Sequence, residues 1–240
     1  MASHHLSMVL TFGLLLCFAS LGPSESGQSK EAEVVRKTNL ERIGRAIRGY
    51  MHDHKEKRYP PPAVYAKDGK PLLIWRVLIL PYILHEEELF KEFVLSESWD
   101  SENNKKLLDK MPNVYSPIGI PLQELRSNCT YIQLFVGAGT CFDNKNGYIA
   151  RQVMGWARTT VFAVEGSSLV PWTKPEDVLF EKDKPLPKLG GFFDAGFHIL
   201  LGDGEVRFVK HKFNEDIMKR AILRKGPDND DPVDLDDLDK

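Results

Sequence analysis

The sequence predicts an α+β protein in which one long N-terminal helix packs on an antiparallel sheet, with extra short helices between them. Two observations predict this class. Residues 31–54 carry apolar side chains at three- and four-residue steps, which is typical of an amphipathic helix. From Asn113 onward, short runs rich in β-branched and aromatic residues alternate with Gly and Pro clusters, which is typical of strands and turns.

The long helix has an apolar stripe and two glycines. Gly44 and Gly49 each cost about 1 kcal/mol in helix propensity relative to alanine. Because they have no side chain, we expect the helix to lie close against another element at these positions. The run Tyr59-Pro60-Pro61-Pro62 ends the helical region, since proline cannot continue a helix. The stripe consists of Leu40, Ile43, Ile47, Tyr50 and His54.

The most apolar run is LLIWRVLILPYIL at residues 72–84, and its length favours a buried helix over a buried strand. Short helices are predicted at residues 86–93, at residues 102–110 behind an N-terminal cap in Ser98-Trp99-Asp100-Ser101, and at residues 214–223 with Asn214 as the cap. The predicted strands are residues 131–136, 159–164, 197–201 and 205–209. Asp203 and Gly204 lie in a structural turn that joins the last two strands as a hairpin.

The N-terminus predicts export. Residues 8–21 (MVLTFGLLLCFASL) are shorter than the ~20 residues that span a bilayer, but they fit the apolar region of a signal peptide. We expect a signal peptide at residues 1–26, cleavage before Gly27, and a periplasmic or extracellular mature chain with no membrane span. An uncleaved anchor and a cytoplasmic N-terminal helix are the alternatives.

After the expected signal peptide, the distribution of charge predicts a domain at residues 27–225 and an acidic tail at residues 226–240. The tail contains seven Asp and one Lys, so its net charge of −6 leaves +4 on the rest of a chain whose total is −2. We expect the tail to be disordered. The mild, scattered positive charge of the domain argues against nucleic acid as a partner.

Two cysteines, Cys129 and Cys141, would remain in an exported chain, where a disulfide can form. The strand predicted between them would carry the chain ~20 Å at ~3.3 Å per residue, so a bridge needs an offset or bulged return. A disulfide and two small buried thiols are therefore both open.

A possible ligand patch is formed by Trp172, Lys174, Glu176 and Asp177, because an aromatic side chain beside charges can stack on a sugar or grip a peptide. The competing interpretation is structural. In that case Thr173 caps a short helix whose first turn holds Pro175, Glu176 and Asp177.

Motifs of catalysis are not evident. The sequence has no Gly-x-Ser-x-Gly elbow. In His52-Asp53-His54 the two histidines are two residues apart on a helix, so they do not share a face as metal ligands. We therefore predict no enzyme, no cofactor, and no catalytic, cofactor-binding or metal-binding residue. A third hypothesis, after the two given below, is a hydrolase whose catalytic residues are distant in sequence and come together only in the folded chain.

Five segments, in this order, resemble a large planctomycete family of pilin-like proteins of unknown function. They cover roughly residues 34–212 and begin with NLERIGRAIRGYMHD closed by YPP, followed by LIWRVLILPY. The segments are residues 39–61, 73–82, 89–105, 170–177 and 201–208.

The resemblance implies a pilin-like fold, related to prepilins and type II secretion pseudopilins. The chain departs from the family in two ways. It has a secretory signal where prepilins have their basic leader and anchor, and it has Phe193 where many members have a histidine. The resemblance therefore implies a soluble, exported, non-catalytic domain with a structural or interaction role among cell-envelope proteins. The alternative is an extracytoplasmic module that binds a glycan or peptide ligand.

Overall fold

The computed structural model describes residues 25–224 and 233–240, and it confirms the α+β class. The α-helices are α1 (Glu25–Asp53), α2 (Trp75–Leu78), α3 (Glu87–Glu92), α4 (Glu102–Lys105) and α5 (Glu215–Ile222). The strands are β1 (Ala63–Tyr65), β2 (Pro71–Ile74), β3 (Cys129–Val136), β4 (Val161–Pro171), β5 (Val178–Leu179), β6 (Gly196–Leu201) and β7 (Val206–Lys210). Short 3₁₀ turns lie at Leu80–Tyr82, Leu108–Lys110, Asn113–Tyr115, Leu122–Glu124, Ala150–Gln152, Met154–Trp156 and Leu235–Asp237.

The main sheet has five strands in the order β5-β3-β4-β6-β7. Its pairs are antiparallel except for β5, which runs parallel to β3 and pairs with it only at Phe135 and Val136. Strands β1 and β2 form a separate antiparallel hairpin. The four strands predicted from the sequence are thus confirmed with slightly different ends, whereas β1, β2 and β5 were not foreseen.

The sheet is buried on both faces. Along β6, Leu200 packs in the apolar cluster beneath α1, while Ile199 and Leu201 pack in a second cluster beneath α5. Helices therefore cover both faces of the sheet, whereas the sequence predicts only α1 as a helix packed on it. The physical reason is that β3 and β6 are apolar at almost every position, so neither face can be left in water.

The acidic tail is also corrected where the structure describes it. Val233, Leu235 and Leu238 are buried in the cluster beneath α5, so residues 233–240 are packed and not disordered. The prediction rested on charge and overlooked three apolar side chains spaced two and three residues apart. Residues 225–232 lie outside the described residues, as do residues 1–24 of the expected signal peptide. Glu25 and Ser26, its last two residues, belong to α1.

The glycines of α1 lie where the helix meets its neighbours, as expected. A Cβ atom on Gly44 would lie 2.8 Å from Cδ1 of Leu200 and 3.3 Å from Cα of Gly204. One on Gly49 would lie 2.9 Å from the ring of Tyr82. The close approach also lets Arg48 donate a hydrogen bond to the carbonyl of Asp203 in the predicted hairpin turn, where Gly204 has a φ of +90°.

A buried ion pair fixes the first half of α1 to the sheet. Nη1 of Arg36 lies 2.9 Å from Oε2 of Glu165 on β4. The same oxygen accepts a hydrogen bond from the backbone N–H of His198 at 2.8 Å, and Nδ1 of His198 lies 3.2 Å away. The ring of Phe193 stacks on the guanidinium of Arg36 at 3.5 Å. Arg36, Glu165 and His198 are buried, and Arg36 and Phe193 also border a crevice of about 670 Å³.

The buried helix predicted at residues 72–84 was wrong in part. Its first residues form β2, which pairs with β1, and only Trp75–Leu78 is α-helical. A 3₁₀ turn at Leu80–Tyr82 follows, with Pro81 inside it. Tertiary pairing with β1 outweighed helix propensity at the start of the run, and proline ended the helix early.

We predict that Gly44→Val destabilises the fold by about 1–3 kcal/mol, because the new side chain overpacks the contact between α1 and the β6–β7 hairpin. Arg45→Val is the matched control, since it adds the same β-branched side chain at the exposed neighbouring position of the helix. Urea unfolding of both variants measures the difference. Equal free energies of unfolding would contradict the close contact at Gly44.

Candidate binding cleft

The buried side chain of Arg76, in α2, organises the region around the candidate site. Its guanidinium donates to the carbonyl oxygens of Trp172 (2.9 Å), Ile132 (2.8 Å) and Lys174 (3.4 Å). Nη1 also lies 3.3 Å from Oδ1 of Asp177. These bonds join α2, strand β3 and the segment between β4 and β5.

Asp177 completes this arrangement as an acceptor. Its Oδ1 accepts hydrogen bonds from the backbone N–H of Leu134 at 2.9 Å and from Nε1 of Trp75 at 3.2 Å. The carboxylate is 3% exposed, and this burial raises the pKa of Asp177 to about 6 although Arg76 opposes the shift. Together, Arg76 and Asp177 bond to Ile132 and Leu134, which β5 is too short to reach.

Two of the four residues of the predicted ligand patch, Trp172 and Asp177, are buried. Trp172 is fully buried, lies 5.7 Å from the ring of Phe93 and 5.9 Å from that of Tyr115, and donates from Nε1 to the carbonyl of Leu108. Asp177 is buried against Arg76. The indole is large and apolar and its one N–H is satisfied, so the core is its most favourable place.

The two remaining patch residues do reach the surface. Lys174 and Glu176 form an ion pair at 2.5 Å, with side chains that are 40% and 44% exposed. The competing prediction of a short helix capped by Thr173 was also wrong, because residues 172–177 are turns and irregular chain leading into β5. Trp172 and Asp177 are therefore part of the packed interior, and of the four patch residues Asp177 borders the cleft described below.

Of the two alternatives left open for the cysteines, the structure shows the second: Cys129 and Cys141 are both free and buried. Cys129 begins β3 and Cys141 follows its far end, so the eight-residue strand holds them apart. At ~3.3 Å per residue this separation is far beyond the ~7 Å between Cα atoms that a disulfide allows. Burial raises the pKa of the Cys141 thiol to about 12, which keeps it protonated and unreactive.

A cleft of about 870 Å³ opens beside this framework, within the usual size of small-ligand sites. One wall is the β1–β2 hairpin, and the other is the loop at residues 136–148 that follows β3. Asp177 and Pro175 border the cleft as well. The lining residues are Pro62, Ala63, Tyr65, Pro71, Ile74, Val136, Gly137, Ala138, Phe142, Asp143, Asn144, Lys145, Tyr148, Pro175 and Asp177.

The two tyrosines of the cleft are held by charged neighbours. Nζ of Lys145 lies 5.0 Å from the ring of Tyr65, and the hydroxyl of Tyr148 donates to the carboxylate of Asp143. The guanidinium of Arg224 lies 4.3 Å from the ring of Tyr148. Partial burial raises the pKa of both phenols, with a further contribution from the charge of Asp177 at Tyr65 and from the hydrogen bond to Asp143 at Tyr148.

The loop keeps its shape through backbone contacts. The second carboxylate oxygen of Asp143 accepts a hydrogen bond from the N–H of Gly139 at 2.8 Å. Gly137 has a φ of +129°, and a Cβ atom there would lie 2.2 Å from the carbonyl oxygen of Phe180. Only glycine fits this turn at the mouth of the cleft.

The cleft combines phenol rings and prolines with a few polar groups, a composition that suits the binding of a small ligand. Across residues 25–224 and 233–240, no group of three or more His, Cys, Asp or Glu side chains is placed to hold a metal ion. Within the same ranges, no helix is both long and apolar enough to cross a bilayer.

Sequence reasoning missed this site for an identifiable reason. The turn Lys67-Asp68-Gly69-Lys70 between two short apolar runs is a hairpin signal. Assigning residues 72–84 to a helix hid the second strand. The run Gly137-Ala138-Gly139 is a turn signal in the sequence, but its position opposite the hairpin depends on the tertiary structure.

Comparison with known proteins identifies part of the chain. Residues 37–122 match the family described as "Protein of unknown function (DUF1559)". The matched part runs from α1 through β1, β2 and α2–α4 to the 3₁₀ turn at Leu122–Glu124. No curated protein and no solved structure matches the chain. The comparison thus supports a family of unknown function and names no activity.

We predict that Asp177→Ala destabilises the protein by about 3–5 kcal/mol, because it leaves the buried guanidinium of Arg76 without its partner. Glu176→Ala is the matched control at the next residue: its exposed ion pair contributes about 0–1 kcal/mol. Chemical unfolding measures both. A small, equal effect of the two substitutions would contradict the role given to the buried pair.

The raised pKa of Asp177 also predicts a pH dependence. Between the ordinary value of 3.8 and about 6, the folded state holds a proton that the unfolded state has released. The contribution of Asp177 to stability is therefore greatest below this window and declines as the pH rises through it. Measured against Asp177→Asn, the wild-type free energy of unfolding should fall relative to the variant between pH 4 and pH 6. A constant difference would contradict the shift.

Proposed function

We propose that this chain is a non-catalytic, exported domain with an interaction role at the cell envelope, and that the cleft between the β1–β2 hairpin and the loop at residues 136–148 binds an extracytoplasmic ligand. The observation that carries the proposal is the cleft itself. It is of ligand size, it has the two tyrosines Tyr65 and Tyr148 in its lining, and it carries polar groups at one end.

The lining favours a glycan as the ligand, with a peptide as the alternative. Tyrosine presents an apolar ring together with a polar hydroxyl, which suits the mixed faces of a sugar. Asp143, Asn144 and Lys145 offer hydrogen-bond acceptors and donors beside the rings. The charge of Asp177 is matched by Arg76, so a strongly charged ligand is not required.

Export rests on the apolar run at residues 8–21 and the Ser24–Ser26 site that follows it. We propose further that this domain is pilin-like. This proposal rests on the resemblance of residues 34–212 to planctomycete pilin-like proteins. A long helix lying across an antiparallel sheet is compatible with that ancestry.

A structural role in an envelope assembly is the second candidate. The observation in its favour is that α1 exposes two β-branched side chains, Val34 (65% exposed) and Val35 (44% exposed). Such apolar positions on a helix can contact a neighbouring protein.

Glycan and peptide arrays probed with the full chain test the cleft. We expect glycan binding that falls at least ~10-fold with Tyr65→Ala and several-fold with Lys145→Glu, because each removes a group that faces the ligand. Lys105→Glu makes the same charge change on the exposed surface outside the cleft and should leave binding unchanged.

Thermal unfolding of each variant separates loss of binding from loss of fold. If the chain binds only to the peptide array, the ligand of the cleft is a peptide and not a glycan. Blank arrays, or equal effects of Lys145→Glu and Lys105→Glu, would contradict the cleft as the site and leave the structural role.

Fractionation of cells that express the full gene tests export separately. We expect the chain in the periplasmic or extracellular fraction, with Gly27 as its first residue by N-terminal sequencing. Recovery of the chain in the cytoplasm with residues 1–26 intact would contradict export without bearing on the cleft.

A further inference from the structure

The carboxylate of Asp177 uses one of its two oxygens in the packed interior. Oδ1 accepts hydrogen bonds from the backbone N–H of Leu134 at 2.9 Å, from Nε1 of Trp75 at 3.2 Å and from Nη1 of Arg76 at 3.3 Å. Within the described residues, every hydrogen bond to this carboxylate ends on Oδ1. A carboxylate accepts on both oxygens, so Oδ2 remains an acceptor without a donor.

This second oxygen is open to the cleft. In residues 25–224 and 233–240, the fully enclosed side-chain nitrogens and oxygens that lack a partner are Oε1 of Glu165, Oγ1 of Thr173 and Nε of Arg224. Oδ2 of Asp177 is not among them, so it keeps an accessible surface, although the side chain is only 3% exposed. The cavity that Asp177 borders is the cleft between the β1–β2 hairpin and the loop at residues 136–148. An unpaired carboxylate oxygen therefore belongs to the lining of the cleft.

The orientation of this oxygen is fixed. The three donors to Oδ1 come from two different elements, α2 and β3, so the carboxylate cannot turn without breaking bonds in the interior. A group that is held in place before the ligand arrives loses little conformational freedom on binding. A largely buried acceptor without a partner is also costly, which a donor on the ligand would offset.

Tyr65 supplies a second polar group near Asp177. Partial burial raises the pKa of the Tyr65 phenol, and the negative charge of Asp177 adds to the shift, so the two groups are close enough to interact. A phenol hydroxyl can both donate and accept a hydrogen bond, whereas the carboxylate oxygen accepts only. A ligand with more than one hydroxyl group can therefore bond to both residues.

The charges of the cleft are balanced. Arg76 lies behind Asp177 and compensates its charge, and Lys145 lies in the lining together with Asp143. A cationic ligand would need an excess of negative charge, which these four residues do not provide. A neutral donor such as a sugar hydroxyl matches the open acceptor without disturbing this balance.

We propose that Oδ2 of Asp177 accepts a hydrogen bond from a hydroxyl group of a neutral glycan in the cleft, and that this hydroxyl is a requirement for binding. This role of Asp177 rests on the proposed function of the cleft, and it adds the residue that selects the ligand. A site that bonds to a hydroxyl group rejects analogues that lack it, because its own polar group is then left unpaired.

Protonation removes the acceptor at the atom that meets the ligand. Because Oδ1 is occupied by three donors, a proton added to the carboxylate goes to Oδ2, which then becomes a donor. Burial raises the pKa of Asp177 to about 6, while the charge of Arg76 and the hydrogen bonds to Oδ1 oppose the shift. Glycan binding should therefore weaken as the pH falls through 6.

The groups around Asp177 allow this titration to be followed. Arg76 faces it from α2, Tyr65 faces it from β1, and β3 presents a backbone N–H. On its own segment, Lys174 and Glu176 pair with each other at 2.5 Å. The pKa of Tyr65 is raised above 10, so this phenol stays protonated at the pH values used below.

Ligand analogues test the acceptor without changing the protein. The probes are the methyl glycosides of glucose, galactose, mannose and N-acetylglucosamine, titrated into the full chain by saturation-transfer NMR at pH 7. A glycoside that binds is then compared with its deoxy and deoxyfluoro analogues at each hydroxyl position. Neither analogue can donate a hydrogen bond there, so we expect one position at which both bind at least ~10-fold more weakly than the parent.

Asp177→Asn tests which residue accepts the hydrogen bond. The amide oxygen can replace Oδ1 beside Leu134 and Arg76, which leaves the NH₂ group in place of Oδ2. We expect the loss at the critical position to decrease to about 3-fold, because a neutral hydrogen bond is roughly half as strong as one to a carboxylate. Thermal unfolding shows whether this variant folds, and if it does not, the analogues and the pH profile of wild type decide.

The pH profile is the second measurement. Wild type should bind the parent glycoside about 10-fold more weakly at pH 5 than at pH 7, because its pKa is about 6, and Asp177→Asn should show no such change. Asp143→Asn is the matched control at the other carboxylate of the cleft. The hydroxyl of Tyr148 and the N–H of Gly139 already occupy both oxygens of Asp143, so this variant should keep the wild-type pH dependence.

Equal binding of the parent glycoside and all of its analogues would overturn the contact with Asp177, and so would equal affinity at pH 5 and pH 7. In either case, a loss of binding in Tyr65→Ala would still support the cleft as the glycan site. Absence of binding by all four glycosides would also overturn the contact, whatever the glycan array shows.

Discussion

The buried guanidinium of Arg76 is the constraint on which the rest of this structure depends. It bonds to the backbone of β3 and of the segment after β4, and it meets the carboxylate of Asp177. Strand β5 pairs only with Phe135 and Val136, the last two residues of β3. Arg76 and Asp177 instead form the hydrogen bonds to the backbone of Ile132 and Leu134 that a longer neighbouring strand would form. Burying both charges is costly, and the cost is offset by the hydrogen bonds of the guanidinium to three backbone carbonyls and by those that Oδ1 of Asp177 accepts.

This constraint determines the position of the candidate site. Because Arg76 directs the path of residues 172–177, it places Pro175 and Asp177 at the cleft and Trp172 in the core. The opposite wall belongs to a separate two-stranded sheet, formed by β1 and β2. A rigid framework on one side and a separate hairpin with Tyr65 on the other is an arrangement suited to binding a ligand between them.

The two faces of the main sheet show which features local pattern could predict. The stripe of α1 and its glycines predicted a closely packed helix, and Gly44 does contact Leu200. Asn214 was recognised as a cap and accepts hydrogen bonds from Asp216 and Ile217. These features depend on neighbours within a few residues. The cover of the opposite face was missed, because the apolar residues of 233–240 are few and lie among many carboxylates.

For the candidate site, the sequence by itself determined less. It singled out Asp177, which borders the cleft, but it assigned Asp177 to a ligand patch with Trp172. Side-chain type alone cannot distinguish an aromatic residue that binds a ligand from one that fills the core, because the same ring suits both places. Only the packing of Phe93 and Tyr115 around Trp172 decides it.

The sequence alone determined the α+β class, the long helix, the hairpin at Asp203 and Gly204 and most of the strands, because hydrophobic period and turn chemistry act over short distances. The tertiary structure decided what is buried and what is exposed among residues distant in sequence. It buried the charges of Arg76 and Asp177, kept Cys129 and Cys141 apart, and placed the hairpin opposite the loop after β3. These outcomes depend on contacts between residues up to a hundred positions apart, which no local pattern records.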